Sequence, residues 1–183
     1  DVNGPVNADS FMIGGNRVLS IKGLQNVFVG FQAGEKNIGG GNIVAIGTYA
    51  LNNNTSGANV AIGTYSMATN TTGFNNTAVG ESSMFSNTTG HELSAFGRYA
   101  LYSNTTGYSN TAIGYSALLN NSTGNENTAV GRESLNNNTT GHYNTAVGFS
   151  SLYTNNGLAN TAFGYSALRS NATGNYNTAV GVN

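Results

Sequence analysis

The sequence predicts an all-β chain, a parallel β-roll or β-solenoid of about ten 17-residue rungs, and three observations predict it. One motif glycine recurs at Gly30, Gly47, Gly63, Gly80, Gly97, Gly114, Gly131, Gly148, Gly164 and Gly181, 17 residues apart except for two spacings of 16. A second series keeps step with it at Gly57, Gly73, Gly90, Gly107, Gly124, Gly141, Gly157 and Gly174. Each motif glycine from Gly47 onward also follows a small residue and a larger apolar one, as in Ala112-Ile113-Gly114 and Ala129-Val130-Gly131. A 17-residue unit has no room for a helical hairpin, which needs about 33 residues. It has room for two or three strands of about 4 to 5 residues with their turns.

Residues 1–23 are irregular and read as an N-terminal cap or junction, because a solenoid must shield its open edge. Pro5 lies there, Phe11-Met12-Ile13-Gly14 resembles a degenerate motif, and Asn16 to Ile21 reads as extended. Residues 24–183 form the repeat domain, expected to continue beyond this segment.

Within a rung, Thr-Ala-Val-Gly reads as strand. Its alternating side chains give a small inner column (Ala95, Ala112, Ala129) and a larger outer one (Val79, Phe96, Ile113, Val130, Val147). Both columns are apolar, so both faces of the strand are expected to be buried. The alanines would meet Leu101, Leu118 and Leu135 from the opposite wall inside a narrow roll. The larger column would meet other chains, most simply around a threefold axis. Asn-Thr-Thr-Gly reads as the corner, since glycine adopts positive φ freely and Asn tolerates it. Corner residues Asn104, Asn121 and Asn138, and Asn110, Asn127 and Asn144 before the strand, would form amide ladders between rungs. In-register rungs stack about 4.8 Å apart, so nine intervals give a rod of about 43 Å.

The composition narrows the function. Six Lys and Arg and a net charge of −1 supply no basic stripe for nucleic acid. No run approaches the roughly 18 apolar residues that span a bilayer, so no membrane insertion by this segment is expected. Cysteine is absent, which excludes thiolate chemistry and disulfides. Asp occurs only at Asp1 and Asp9, too few for a calcium-binding roll, and no cofactor or metal is expected. His91 and His142 hold equivalent places three rungs apart, about 14 Å, too far to share a metal. Glu92 and Glu126 lie two rungs apart, about 9.6 Å, with no insertion to build a pocket around them. No catalytic grouping stands out, and the chain is not expected to be an enzyme. The many Asn-x-Thr/Ser sites would place sugars on rungs too close to carry them, which favours a bacterial or phage origin.

Asn-Thr-Ala-Val-Gly, with variants such as Asn59-Val60-Ala61-Ile62-Gly63, resembles the strand motif of trimeric autotransporter adhesin heads and similar repeats in phage tail fibres, often placed before an endosialidase-type chaperone that is absent here. The resemblance covers residues 24 to 181 and implies a left-handed parallel β-roll, a homotrimer, and a role in attachment or spacing on a bacterial surface or virion. It departs from those heads in its longer rungs and more frequent Asn-Thr-Thr-Gly corners.

Aromatic residues vary most from rung to rung, and the rungs from Glu81 to Tyr115 concentrate them with charge. Arg98, Tyr99, Tyr102, Tyr108 and Tyr115 are therefore the candidate contacts for a cell-surface glycan or protein receptor. Glu81 and Arg98 should pair between rungs, and Arg98, Tyr115 and Arg132 should stack. A passive shaft or spacer is the alternative function. An ice-binding solenoid would need an exposed flat face of Thr, whereas many of these Thr lie at corners.

Overall fold

A computed structural model describes residues 10–13, 16–20 and 25–183, with side chains from residue 25 onward. Asp1, Pro5, Asp9, Gly14, Ile21 and Lys22 lie outside the described residues. The strands are β1 (Ser10–Ile13), β2 (Asn16–Ser20), β3 (Val27–Val29), β4 (Val44–Ile46), β5 (Val60–Ile62), β6 (Thr77–Val79), β7 (Ser94–Phe96), β8 (Thr111–Ile113), β9 (Thr128–Val130), β10 (Thr145–Val147), β11 (Thr161–Phe163) and β12 (Thr178–Val180). They form one sheet in chain order. From β3 to β12 every pair is parallel and in register, Phe28 on Ala45 in the first pair and Ala on Ala from β4 onward, which makes the chain a β-solenoid of about 9 turns. Phe11, Met12 and Ile13 belong to an antiparallel hairpin, not to a rung, and β2 pairs antiparallel with β3, covering its edge.

Each rung contains one three-residue strand, not two or three longer ones. The rest of the rung is a run of tight turns. In the rung of Gly97, the N–H groups of Ala100, Tyr102 and Asn104 donate to the carbonyls of Gly97, Tyr99 and Leu101. Tyr99 and Leu101 stand third in the first two of these turns, at φ 61° and 52°. A third turn residue with positive φ has its own N–H pointing outward, and here those groups bond neighbouring rungs: Tyr99 N–H to Glu81 and Leu101 N–H to Ala117. Backbone hydrogen bonds thus run between rungs around much of the cross-section, although only the Ala-containing wall qualifies as strand.

The inner column is dry. Ala95, Ala112, Ala129, Leu101, Leu118 and Leu135 are all fully buried, strand alanines against Leu and Met of the turn wall. Opposite a Leu or Met a strand alanine is all the narrow interior admits; in the first rung the sizes are exchanged, with Phe28 at the alanine place and Gly34 at the leucine place. The outer column stays half in water in the single chain: Ile46 is 37% exposed, and Phe96, Ile113 and Phe163 are each 42% exposed.

Both glycine series are explained by the closeness of the rungs, and only one by φ. Gly114 has φ 136°, and a Cβ there would stand 2.6 Å from the carbonyl oxygen of Gly131. Gly124, at the Asn-Thr-Thr-Gly corner, lies outside the positive-φ region. Its Cβ would fall 2.3 Å from Asn121 Oδ1 and 2.4 Å from the Gly141 carbonyl. The corner therefore needs glycine for space, and its Asn for a different purpose.

That purpose is two buried amide ladders. In the first, Asn104 Nδ2 donates to Asn87 Oδ1 (2.8 Å) and to the Gly107 carbonyl (3.0 Å), while Asn104 Oδ1 accepts from Asn121 (2.8 Å). In the second, Asn127 Nδ2 reaches the Gly141 carbonyl (2.8 Å), and Asn127 Oδ1 accepts the backbone N–H of Asn144 (3.0 Å). The corner carbonyl is thereby met from both ladders: that of Gly124 accepts from Asn110 at 2.7 Å and from Asn121 at 3.0 Å. Ile43 and Leu93 replace the second-ladder Asn in two rungs, and at the second of these the Gly107 carbonyl receives the Asn104 amide alone.

The two 16-residue rungs interrupt the first ladder. In each, the corner Asn reaches a carbonyl two residues on instead of three, Asn54 to Ser56 and Asn155 to Gly157. The shortened corner pulls the amide away from the rung before it. Asn54 reaches Asn37 Oδ1 only at 3.5 Å, and Asn138 Oδ1, the counterpart at the other short rung, is buried without a partner.

Candidate functional site

Four of the five candidate contacts lie together. Arg98 Cζ stands 4.5 Å over the Tyr99 ring, and Arg98 Nη2 donates to the Tyr99 hydroxyl at 2.8 Å. Tyr99 makes edge contacts with Tyr102 (5.6 Å between centroids) and Tyr115 (6.1 Å). Tyr108 does not join them. It follows the corner glycine, and there it continues a second stack in which His91 lies between Phe74 (4.9 Å) and Tyr108 (5.3 Å). The four others precede the corner, so closeness in sequence joined residues that the turn separates.

The ion pair expected between rungs is present, with Arg98 Nε 3.2 Å from Glu81 Oε2. Desolvation lowers the Arg98 pKa, but the Glu81 charge and the Tyr99 contact outweigh it and raise it on balance. Arg132 stacks over Tyr115 at 5.5 Å, as the column predicts, whereas Arg98 turns to Tyr99 instead of Tyr115. Arg132 Nε also pairs with Glu133 at 3.1 Å. Both guanidinium groups at the site therefore carry a carboxylate.

The cluster is one stretch of a longer band. Towards the N-terminus Tyr102 stacks on Phe85 (5.3 Å), which meets Tyr65 (6.2 Å), itself stacked on Tyr49 (5.2 Å). Towards the C-terminus Arg132 bridges Tyr115 to Phe149 (5.7 Å), which stacks on Tyr165 (5.0 Å). Rings on adjacent rungs touch because the rungs hold them at stacking distance.

A cleft of about 460 Å³ opens within this band, lined by Tyr99, Tyr102, Ser103, Tyr115, Ser116, Leu119 and Asn120. It arises where bulky residues give way to smaller ones at the same rung positions, Tyr99 to Ser116 and Tyr102 to Leu119. Leu119 and Asn120 were not marked out by the sequence; the signal was this loss of volume in register, legible once the columns are aligned.

The residues weighed for chemistry are held in other ways. His142 Nδ1 accepts the Asn125 backbone N–H at 3.0 Å, and Glu92 accepts from Ser109 at 3.1 Å. Among the described residues no three His, Cys, Asp or Glu side chains group as metal ligands. No helix among them is long and apolar enough to cross a membrane. The other candidate surface is the outer column Val79, Phe96, Ile113, Val130 and Val147, which lies along one face of the parallel sheet.

Compared with known proteins, the chain matches no family model, no curated sequence and no solved structure.

Proposed function

We propose that this chain is a self-associating fibre module, a left-handed homotrimeric roll that attaches a bacterial surface or phage tail fibre to a cell-surface receptor. The observation that carries the assembly is the outer column, a continuous apolar stripe whose Ile and Phe members from Ile46 to Phe163 are 37 to 42% exposed in the single chain and whose Val members are partly exposed. A partner must match a stripe that repeats at every rung. A second copy, parallel and in register, presents the same residues at the same pitch.

Covering such a side chain completely is worth about 1.5 to 3 kcal/mol relative to full exposure, so the half left exposed offers roughly 1 kcal/mol per rung before the costs of association. The resemblance to adhesin heads and tail fibres supports the handedness, the trimer and the extracellular location. The aromatic band supports attachment. The regularity of the rungs also suits a passive spacer, which is the second reading. Ice binding has less support at the corners, where the hydroxyls of Thr71, Thr88 and Thr105 donate to backbone carbonyls of the next rung.

Replacing Ile113 and Val130 by Asp tests the assembly. Both side chains face outward, so a single chain should stay folded, while the assembly would have to bury unpaired carboxylates. The expected result is native circular dichroism with a fall in mass by light scattering, and no change for Asn125→Asp on another wall. Unchanged mass in the double variant would refute the interface.

A further inference from the structure

We infer that the aromatic band is a binding track for a neutral, extended polysaccharide, with the open cleft at Tyr99, Tyr102, Tyr115 and Leu119 as one of its subsites. This rests on the attachment reading, since a passive spacer needs no ligand, and it is independent of self-association through the sheet face.

Three features point to that class of ligand. The cleft sets aromatic walls beside the polar residues Ser103, the nearly buried Ser116 and Asn120, whose Nδ2 also donates to Asn137 Oδ1 at 2.8 Å. A sugar ring needs that combination, because its C–H face packs on aromatic carbon while its hydroxyls seek polar groups at the rim. The second feature is charge. Arg98 is paired with Glu81 and Arg132 with Glu133, so the site offers little net charge to an acidic polymer or nucleic acid. Third, the rings continue on both sides of the cleft, from Tyr49 to Tyr165, along the direction in which the rungs stack. A single sugar would use one step of that band, whereas an extended chain can lie along several.

The track is also already in place. Its rings sit on rungs fixed by backbone hydrogen bonds and amide ladders, so little ordering is left for binding to cost. Tyr108, in the separate stack with His91, is not part of it.

The test uses the 183-residue chain with neutral polysaccharides, namely cellulose, xylan, mannan, chitin and dextran, and calorimetry with oligosaccharides graded in length from any that binds. Single-stranded DNA and an acidic polysaccharide serve as comparisons. The expected result is binding to at least one neutral glycan, with affinity rising fivefold or more from the disaccharide to the hexasaccharide. Tyr99→Ser with Tyr102→Ser should weaken it at least tenfold, and Tyr108→Ser should leave it unchanged. Leu119→Trp fills the cleft without removing a ring and should also weaken binding at least tenfold, which covers the case in which the double variant misfolds.

Failure to bind any neutral glycan overturns the inference, as do affinity independent of length, preference for the acidic polymers, or equal losses from Tyr108→Ser. Light scattering on the same samples separates the two readings: a monomer that binds glycan sinks the assembly alone, and a trimer that binds none sinks the track.

Discussion

Asn104→Ala removes more than the same change at its ladder neighbours Asn87 and Asn121, because Leu93 has already taken away the second donor to the corner carbonyl of that rung. The change deletes three hydrogen bonds, of 2.8, 3.0 and 2.8 Å, in a place where Asn104 is fully buried. It strands Asn87 Oδ1, the Gly107 carbonyl and one N–H of Asn121. At about 1 to 3 kcal/mol for each buried polar group left unpaired, the loss is about 3 kcal/mol at least and could reach about 9. Asn121→Ala is the comparison. It strands Asn104 Oδ1 and one N–H of Asn138, but the Gly124 carbonyl keeps its 2.7 Å bond from Asn110. The difference between the variants should therefore equal one carbonyl, about 1 to 3 kcal/mol. Urea unfolding followed by far-ultraviolet circular dichroism measures both, and amide hydrogen exchange should place the lost protection on the rungs between Asn87 and Asn121. Equal destabilisation of the two variants, or a cost below about 1 kcal/mol for Asn104→Ala, would refute the assignment of stability to the ladder.

Inserting Thr between Asn156 and Gly157 restores a 17-residue rung and should return a donor to Asn138 Oδ1, raising stability by about 1 to 2 kcal/mol in the same urea experiment. The glycines separate two effects in thermal melts. Gly181→Ala meets nothing within 4 Å and carries only the strain of φ 142°, about 1 to 3 kcal/mol, whereas Gly114→Ala adds a collision with the Gly131 carbonyl and should cost distinctly more. Gly124→Ala has no φ strain and should still be severe, because Asn121 and the Gly141 carbonyl fill its space. A mild Gly124→Ala would show that the rungs can spread.

The period, the inner column and the amide ladders were legible because each recurs at nearly every rung, so one residue type had many chances to display its role. The turn conformations were not. Positive φ was expected at the corner Asn and Gly, yet it falls on Tyr99, Leu101 and Ser109 as well as Gly97. Leu has no preference for that region, and Leu101 adopts it because the conformation places its side chain in the core and its N–H on the next rung. Strand content was overestimated for the same reason, since backbone bonding between rungs does not require extended residues. The candidate site was legible in composition but not in placement. Arg98, Tyr99, Tyr102 and Tyr115 share a wall, and Tyr108 is close in sequence but lies beyond the corner.

Light scattering on the unmodified segment at micromolar concentration tests the assembly most directly. A parallel, in-register trimer gives three times the 18.8 kDa chain mass, with oxidative cross-linking of Thr111→Cys to itself in a chain that has no other cysteine. A folded, stable species of 18.8 kDa would contradict it and leave a self-contained solenoid whose apolar stripe faces water.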